Sequence, residues 1–238
     1  MQYLLYLEFS FDTLSSKMLA FSNMGRKSVF TEKMKGLRFF KAMGTGAGNG
    51  FSVVPNFSRY AFLLLFDNRE NAESSIAEND AFNVYFDKAT HFFRCHLKPA
   101  MVHGVWDGVQ PFEIEENAKP EDPVAVITRA RINTSKILDF WWNVSEAGRF
   151  MNSRDEAIYQ IGIGEYPVFM QATFSIWKTM KEMKNAAYNG TPHAEVVKKT
   201  RERNWYSEEM FCVFKLGQII ERGTLPYEIP EKLILSKV

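Results

Sequence analysis

The stretch Tyr3-Leu4-Leu5-Tyr6-Leu7-Glu8-Phe9-Ser10-Phe11 runs directly into Asp12-Thr13-Leu14. The first nine residues alternate around β-formers and read as a strand. Asp12 or Thr13 is a helix cap, and Leu14, Met18, Phe21 and Met24 recur at helical spacing until Gly25 stops the pattern. The same pair of elements returns later. Val124 to Ile132 (VAVITRARI) reads as a strand, and Asn133 or Thr134 caps a helix carrying Ile137, Leu138, Trp141 and Val144.

Outward from these two anchors the halves stay in step. In the first, strands Leu37 to Met43 and Tyr60 to Phe66 flank a glycine loop. A helical pattern from about Glu70 to Ala89 precedes a strand His91 to Met101 that ends near Gly104. In the second, strands Ala157 to Ile163 and Val168 to Trp177 precede a helical region, Thr179 to Glu209, interrupted at Asn189-Gly190-Thr191-Pro192. A strand Met210 to Ile220 then ends near Gly223. Each half is β-α-β-β-α-β, the ferredoxin-like order.

Residues 111–123, with three prolines and five acidic residues, read as a linker. The expected organisation is a first ferredoxin-like repeat over 1–110 and a second over 124–238. Met43-Gly44-Thr45-Gly46 aligns with Ile161-Gly162-Ile163-Gly164, and Leu63 to Phe66 with Phe174 to Trp177. The expected fold class is α+β, two tandem ferredoxin-like repeats in a dimeric-α/β-barrel-like core, because joining two sheets buries more apolar area than either alone. Two unrelated α+β halves are the alternative. The repeats differ at Ala47 to Arg59 and around Asn189 to His193, and such insertions are where function is added.

Composition narrows the function. Of 238 residues, 46% are apolar, and 29 Lys+Arg balance 28 Asp+Glu. A net charge of +1 gives no overall footprint for nucleic acid or for an anionic membrane. The longest apolar run, Tyr60 to Phe66, falls short of the roughly 20 residues a spanning helix needs. The first residues lack a basic stretch ahead of their apolar run, so no signal peptide is expected. Cys95 and Cys212 read as two buried free thiols in a reducing cytoplasm. The 21 phenylalanines suit an apolar cavity for a hydrophobic ligand.

Most chemical motifs fail on inspection. The run Gly44 to Gly50 has Asn49 where a dinucleotide fingerprint needs glycine, and no Gly-Lys-Ser/Thr follows. It reads as a turn. No Ser-His-Asp or HExxH arrangement is visible, and Glu208-Glu209 reads as solvated helix surface. His91, His96 and His103 match no zinc spacing. His193 differs: Thr191 caps, Pro192 suits the first helical position, and the imidazole falls in the first turn of a helix from Pro192 to Trp205. A single imidazole at an apolar cavity is what a haem iron needs as proximal ligand. An ordinary helix-start histidine is the alternative.

Four stretches resemble the spheroidene monooxygenase family of carotenoid biosynthesis. They are Leu37 to Gly46 (LRFFKAMGTG), Ile161 to Pro167 (IGIGEYP), Gln171 to Trp177 (QATFSIW) and Pro192 to Glu195 (PHAE). The likeness runs from about Leu4 to Gly223. It implies a haem-dependent enzyme that uses O2 and an external donor, reduced ferredoxin or similar, to hydroxylate an acyclic carotenoid at C2 and, on repetition, to give a ketone. It makes His193 the expected iron ligand. Arg129 and Gln171 fall in family-like stretches, with expected roles at a haem propionate or on the distal side. A strand-end salt bridge and a satisfied buried amide are the alternatives for these two. A cytoplasmic protein that meets the membrane peripherally through exposed aromatics is implied, because carotenoids partition into bilayers. Self-association through a sheet edge or helical face is expected. A dehydratase-like haem protein and a non-catalytic haem or hydrophobic-ligand binder remain the alternatives.

Overall fold

The computed structural model describes residues 2–47, 54–143, 157–166, 168–188, 198–223 and 234–237. The chain divides into two compact units. One comprises Met1–Thr45, Asn56–Lys98 and Leu216–Val238, the other Gly46–Pro55 and Pro99–Lys215. These units group residues by packing, whereas the 1–110 and 124–238 halves group them by strand order.

The first unit holds β1 (Tyr3–Ser10) and most of β2 (Leu37–Gly46), β3 (Pro55–Phe66) and β4 (His91–Gly104), in the order β4-β1-β3-β2. β1 is antiparallel to both neighbours, with Leu7 opposite Phe62 on one side and Arg94 on the other. Side chains alternate across a strand. Leu5, Leu7 and Phe9 therefore share a face with Phe62 and Leu64, in one buried cluster with Phe30, Phe82 and Tyr85. Phe30 lies 4.8 Å from Phe62, and Phe9 meets Tyr85 edge-on at 5.4 Å.

Four helices accompany this sheet: α1 (Leu14–Met24), α2 (Ser28–Thr31), α3 (Arg69–Ala77) and α4 (Asp80–Lys88). Asn79 splits the single helix expected over 70–89. Its side-chain oxygen accepts the Phe82 amide and its nitrogen donates to the Phe30 carbonyl. That is an N-cap for α4 and a tie to α2. α1 has the expected length, and Thr13 caps it, but of the expected apolar face only Met24 packs on the core. Ser16 and Ala20 are buried, while Leu14, Met18 and Phe21 are exposed. Small residues let the helix sit close: the Tyr85 hydroxyl donates to the Ala20 carbonyl at 2.8 Å.

In the second unit, β5 (Val124–Ile132), β6 (Ala157–Tyr166), β7 (Met170–Trp177) and residues 206–215 of β8 (Tyr206–Arg222) lie in the order β6-β7-β5-β8, all antiparallel. Helix α5 (Met180–Tyr188) packs Met180 and Met183 against Val124, Val126, Trp177 and Val213. Thr179 caps it, accepting the Glu182 amide and donating to the Glu182 carboxylate. The opposite face of the sheet is buried and apolar along Ile127, Phe174 and Cys212. β9 (Ile234–Lys237) pairs in parallel with the end of β8 in the first unit.

The helical region expected over 179–209 is shorter than its polar pattern suggested. Asn204 takes a positive φ, the Trp205 amide returns to the Thr200 carbonyl, and β8 begins at Tyr206. Glu208 and Glu209 therefore stand on a strand. Residues 111–118 carry no regular structure but pack within the second unit. Phe112 is buried edge-on against Phe214 at 5.7 Å, and Lys215 pairs with Glu116 and Asp122. Among the described residues, no helix is long and apolar enough to cross a membrane.

Candidate functional site

The apolar face of the second unit ends in a charged cluster. Arg129 and Arg131 are two apart on β5 and so leave the sheet on the same side. β8 brings Glu208 opposite Arg131. Residues 106–109 make a two-residue turn, with the Trp106 amide donating to the Val109 carbonyl and Asp107 and Gly108 both at positive φ. This is the mirror-image turn that Asp-Gly favours.

Glu208 organises these parts. One of its oxygens accepts the Asp107 amide at 2.9 Å and the other the Gly108 amide at 2.7 Å. Arg129 donates to the same carboxylate from one terminal nitrogen, and to Asp107 Oδ1 at 3.2 Å from the other. Arg131 reaches Asp107 Oδ1 at 2.6 Å. The Arg129 guanidinium also lies 5.5 Å from the Trp106 ring centroid, and Trp106 Nε1 donates to Glu165 Oε2 at 2.8 Å. Burial acts to raise the Glu208 pKa. The Arg129 hydrogen bond and the two turn amides outweigh it and hold the carboxyl below its ordinary range.

Arg129 is 2% exposed. Its two terminal nitrogens are committed to two carboxylates, while its buried Nε has no hydrogen-bond partner among the described residues. Gln171 is also buried, but it pairs with Ala130, so its side chain leaves the opposite face from Arg129. There its amide nitrogen lies beside Gly164. The structure does not bring the two together. His193, with the helix start expected around it, lies outside the described residues, as do Gly48 to Gly50 of the glycine run.

The described donors alone do not make a haem site. His96 stacks on Tyr3 at 4.2 Å, and Gly217 lies so close that a Cβ there would come within 2.6 Å of its Nδ1. Burial, and then the cations Lys98, Arg69 and Arg94, push its pKa down to about 4, so the ring is neutral but enclosed. His103 is exposed near the end of β4, and His91 lies against Gly223. No group of three or more His, Cys, Asp or Glu side chains among the described residues is placed to hold a metal ion. Cys95 and Cys212 are free and buried, and burial raises both thiols, Cys212 to about 12. They are not nucleophiles at neutral pH.

Trp106, Asp107, Glu165 and Glu208 escaped sequence reasoning. The Asp107-Gly108 dipeptide was the available signal for the turn. Glu208 was hidden by its placement on a helix.

Largely antiparallel strands with accompanying helices, in a unit whose apolar face ends in the charged cluster around the buried Arg129, define the chain as an α+β protein. Aldoxime dehydratase in complex with butyraldoxime shares this fold, at a TM-score of 0.60 and 9% identity over 90% of this chain and 79% of that one. No family model matches the sequence. The spheroidene monooxygenase of Rhodobacter capsulatus is 34% identical over 212 residues, 87% of each chain. That of Rubrivivax gelatinosus is 31% identical over 179 residues, 75% of this chain and 68% of the relative. The chain belongs to the spheroidene monooxygenase family, and is thus an oxygenase-type oxidoreductase.

Proposed function

We propose that the protein hydroxylates the C2 region of an acyclic carotenoid such as spheroidene, and by a second round at the same carbon gives the ketone. The observation that carries this reading is the 34% identity spread over 87% of both chains. Each hydroxylation places one atom of O2 in a C–H bond and releases the other as water, drawing two electrons and two protons from an external donor such as reduced ferredoxin. The second hydroxylation leaves two hydroxyls on one carbon, which lose water to form the carbonyl.

Haem is the proposed cofactor and would supply the oxygen chemistry, with His193 as its ligand. For Arg129 the reading narrows. Its pairing with Glu208 and Asp107 supports a role in fixing the hairpin and the end of β6, and its buried, unpartnered Nε is the atom proposed for a haem propionate or the distal side. Gln171 is kept as a candidate on the other face.

The finer fold, tandem ferredoxin-like repeats in a dimeric-α/β-barrel-like core, belongs to the same proposal. Supporting it, the order fourth-first-third-second describes the four strands of each unit. Both fourth strands also end at a glycine of positive φ, Gly104 and Gly223. A cytoplasmic protein that self-associates and meets the membrane peripherally completes the reading.

The fold likeness to aldoxime dehydratase favours one second reading, a dehydratase-like activity. The test is turnover of spheroidene by purified protein with O2, ferredoxin, its reductase and NADPH, together with the absorption spectrum. A Soret band and an O2-dependent hydroxylated product are expected. A Soret band with aldoxime dehydration and no carotenoid oxidation would select the dehydratase, and absence of the band would reject both.

A further inference from the structure

We infer that the outer face of α1 is a docking surface for an anionic lipid bilayer, an inference that deepens the carotenoid reading by naming where the enzyme would meet its substrate's solvent. Leu14, Met18 and Phe21 recur along α1 at helical spacing and are 74%, 65% and 58% exposed. Phe57, at the start of β3 and 52% exposed, meets Phe21 edge-on at 5.4 Å. The helix packs Ser16, Ala20, Leu19 and Met24 inward and still leaves Leu14, Met18 and Phe21 on a second, outward apolar stripe, which a helix that only covers a core does not need. A contiguous apolar patch of this kind marks an interaction surface.

Charge selects the occupant. The segment from Thr13 to Thr31 carries Lys17, Arg26 and Lys27 and not one acidic residue, in a chain whose overall charge is only +1. Arg26 and Lys27 are exposed just beyond the end of α1. Large apolar side chains flanked by cations are how an interfacial helix seats itself, with side chains among acyl tails and cations at phosphate level. A second copy of the same face would instead set these cations against their own kind.

The test is co-sedimentation with carotenoid-free vesicles, of phosphatidylcholine alone and mixed with phosphatidylglycerol. Wild-type protein should bind the mixed vesicles. Met18→Gln with Phe21→Gln should weaken that binding by about tenfold or more while leaving the thermal midpoint in place. Lys17→Glu with Lys27→Glu should remove the preference for phosphatidylglycerol. Unchanged binding by the glutamine variant, or no binding by wild type, overturns the inference. So does a wild-type dimer that the glutamine substitutions convert to monomer, since a second copy then covers the face. Because the vesicles hold no carotenoid, the result stands apart from the catalytic reading, which turnover of spheroidene in detergent micelles tests separately. Vesicle binding without turnover would reject the oxygenase and leave the docking face standing.

Discussion

Glu8 and Arg129 occupy the same step of the first strand of their respective units. Glu8 lies five residues after Tyr3, which pairs with Phe66; Arg129 lies five after Val124, which pairs with Trp177. Both point away from the main aromatic or helix-bound face of their sheet, and they are 4% and 2% exposed. Each is matched within its own unit. Glu8 accepts the Tyr6 hydroxyl at 2.8 Å and faces Arg59 at 3.6 Å, while Arg129 holds Glu208 and Asp107.

The first prediction follows from that matching. Removing one partner of a buried pair strands the other, at a cost of about 3 kcal/mol or more. Arg129→Met should destabilise by that amount in denaturant unfolding. Glu208→Gln added to it should restore part of the loss, with a coupling energy of about 1–3 kcal/mol. Arg129→Met with Gln171→Leu should be additive within about 0.5 kcal/mol, because the two side chains leave opposite faces. Strong coupling to Gln171 would contradict the register.

Much of this was legible in the sequence, and the gaps have physical causes. β1 and β3 announce themselves because a strand buried on both faces carries an unbroken apolar run, as in Leu4 to Leu7 and Tyr60 to Phe66. The outward stripe of α1 was not legible, since periodicity marks one apolar face but not the direction in which it points. Glu208 was misplaced because polar residues on a half-exposed strand resemble a solvated helix until Asn204 breaks the pattern. The partners of Arg129 were beyond reach, lying 22 and 79 residues away along the chain.

The second prediction separates clash from strain. Gly104 and Gly108 both have positive φ, so alanine at either costs about 1 kcal/mol in backbone conformation. A Cβ at Gly108 meets nothing within 4 Å, whereas one at Gly104 would lie 2.1 Å from the Glu209 carbonyl oxygen. Gly104→Ala should therefore cost at least about twice what Gly108→Ala does, read from midpoints of urea unfolding. Equal losses would mean that β4 and β8 separate freely at this point.

The third concerns acid. Folding lowers the His96 pKa from an ordinary value near 6.5 to about 4, first by burial and then by Lys98, Arg69 and Arg94, with Glu73 opposing. Between those values the unfolded chain binds the proton and the folded chain does not, so stability falls as pH drops through that window. The thermal midpoint should decline from about pH 6.5 towards about 5.5, above the range where the carboxylates contribute. His96→Phe, which keeps a ring against Tyr3, should flatten that decline. An identical slope in the variant would assign the acid sensitivity elsewhere.

The last prediction concerns His193. If its imidazole is the iron ligand, His193→Ala should lose the native haem spectrum while the far-ultraviolet circular dichroism stays near wild type, because removing one imidazole leaves the described core clusters intact. Free imidazole should then restore part of the original spectrum by taking the vacated position. Replacement of His103, which is exposed, or of His91, which sits against Gly223, should leave the spectrum unchanged. His96 provides the sharpest contrast. Its ring is neutral, as a ligand must be, but stacked on Tyr3 and enclosed by Gly217, so it reaches an iron only if β4 and β8 part. An intact spectrum in His193→Ala with a lost one in His96→Ala would move the ligand to β4, and the argument that the second repeat gained function around residues 189–193 would fall with it.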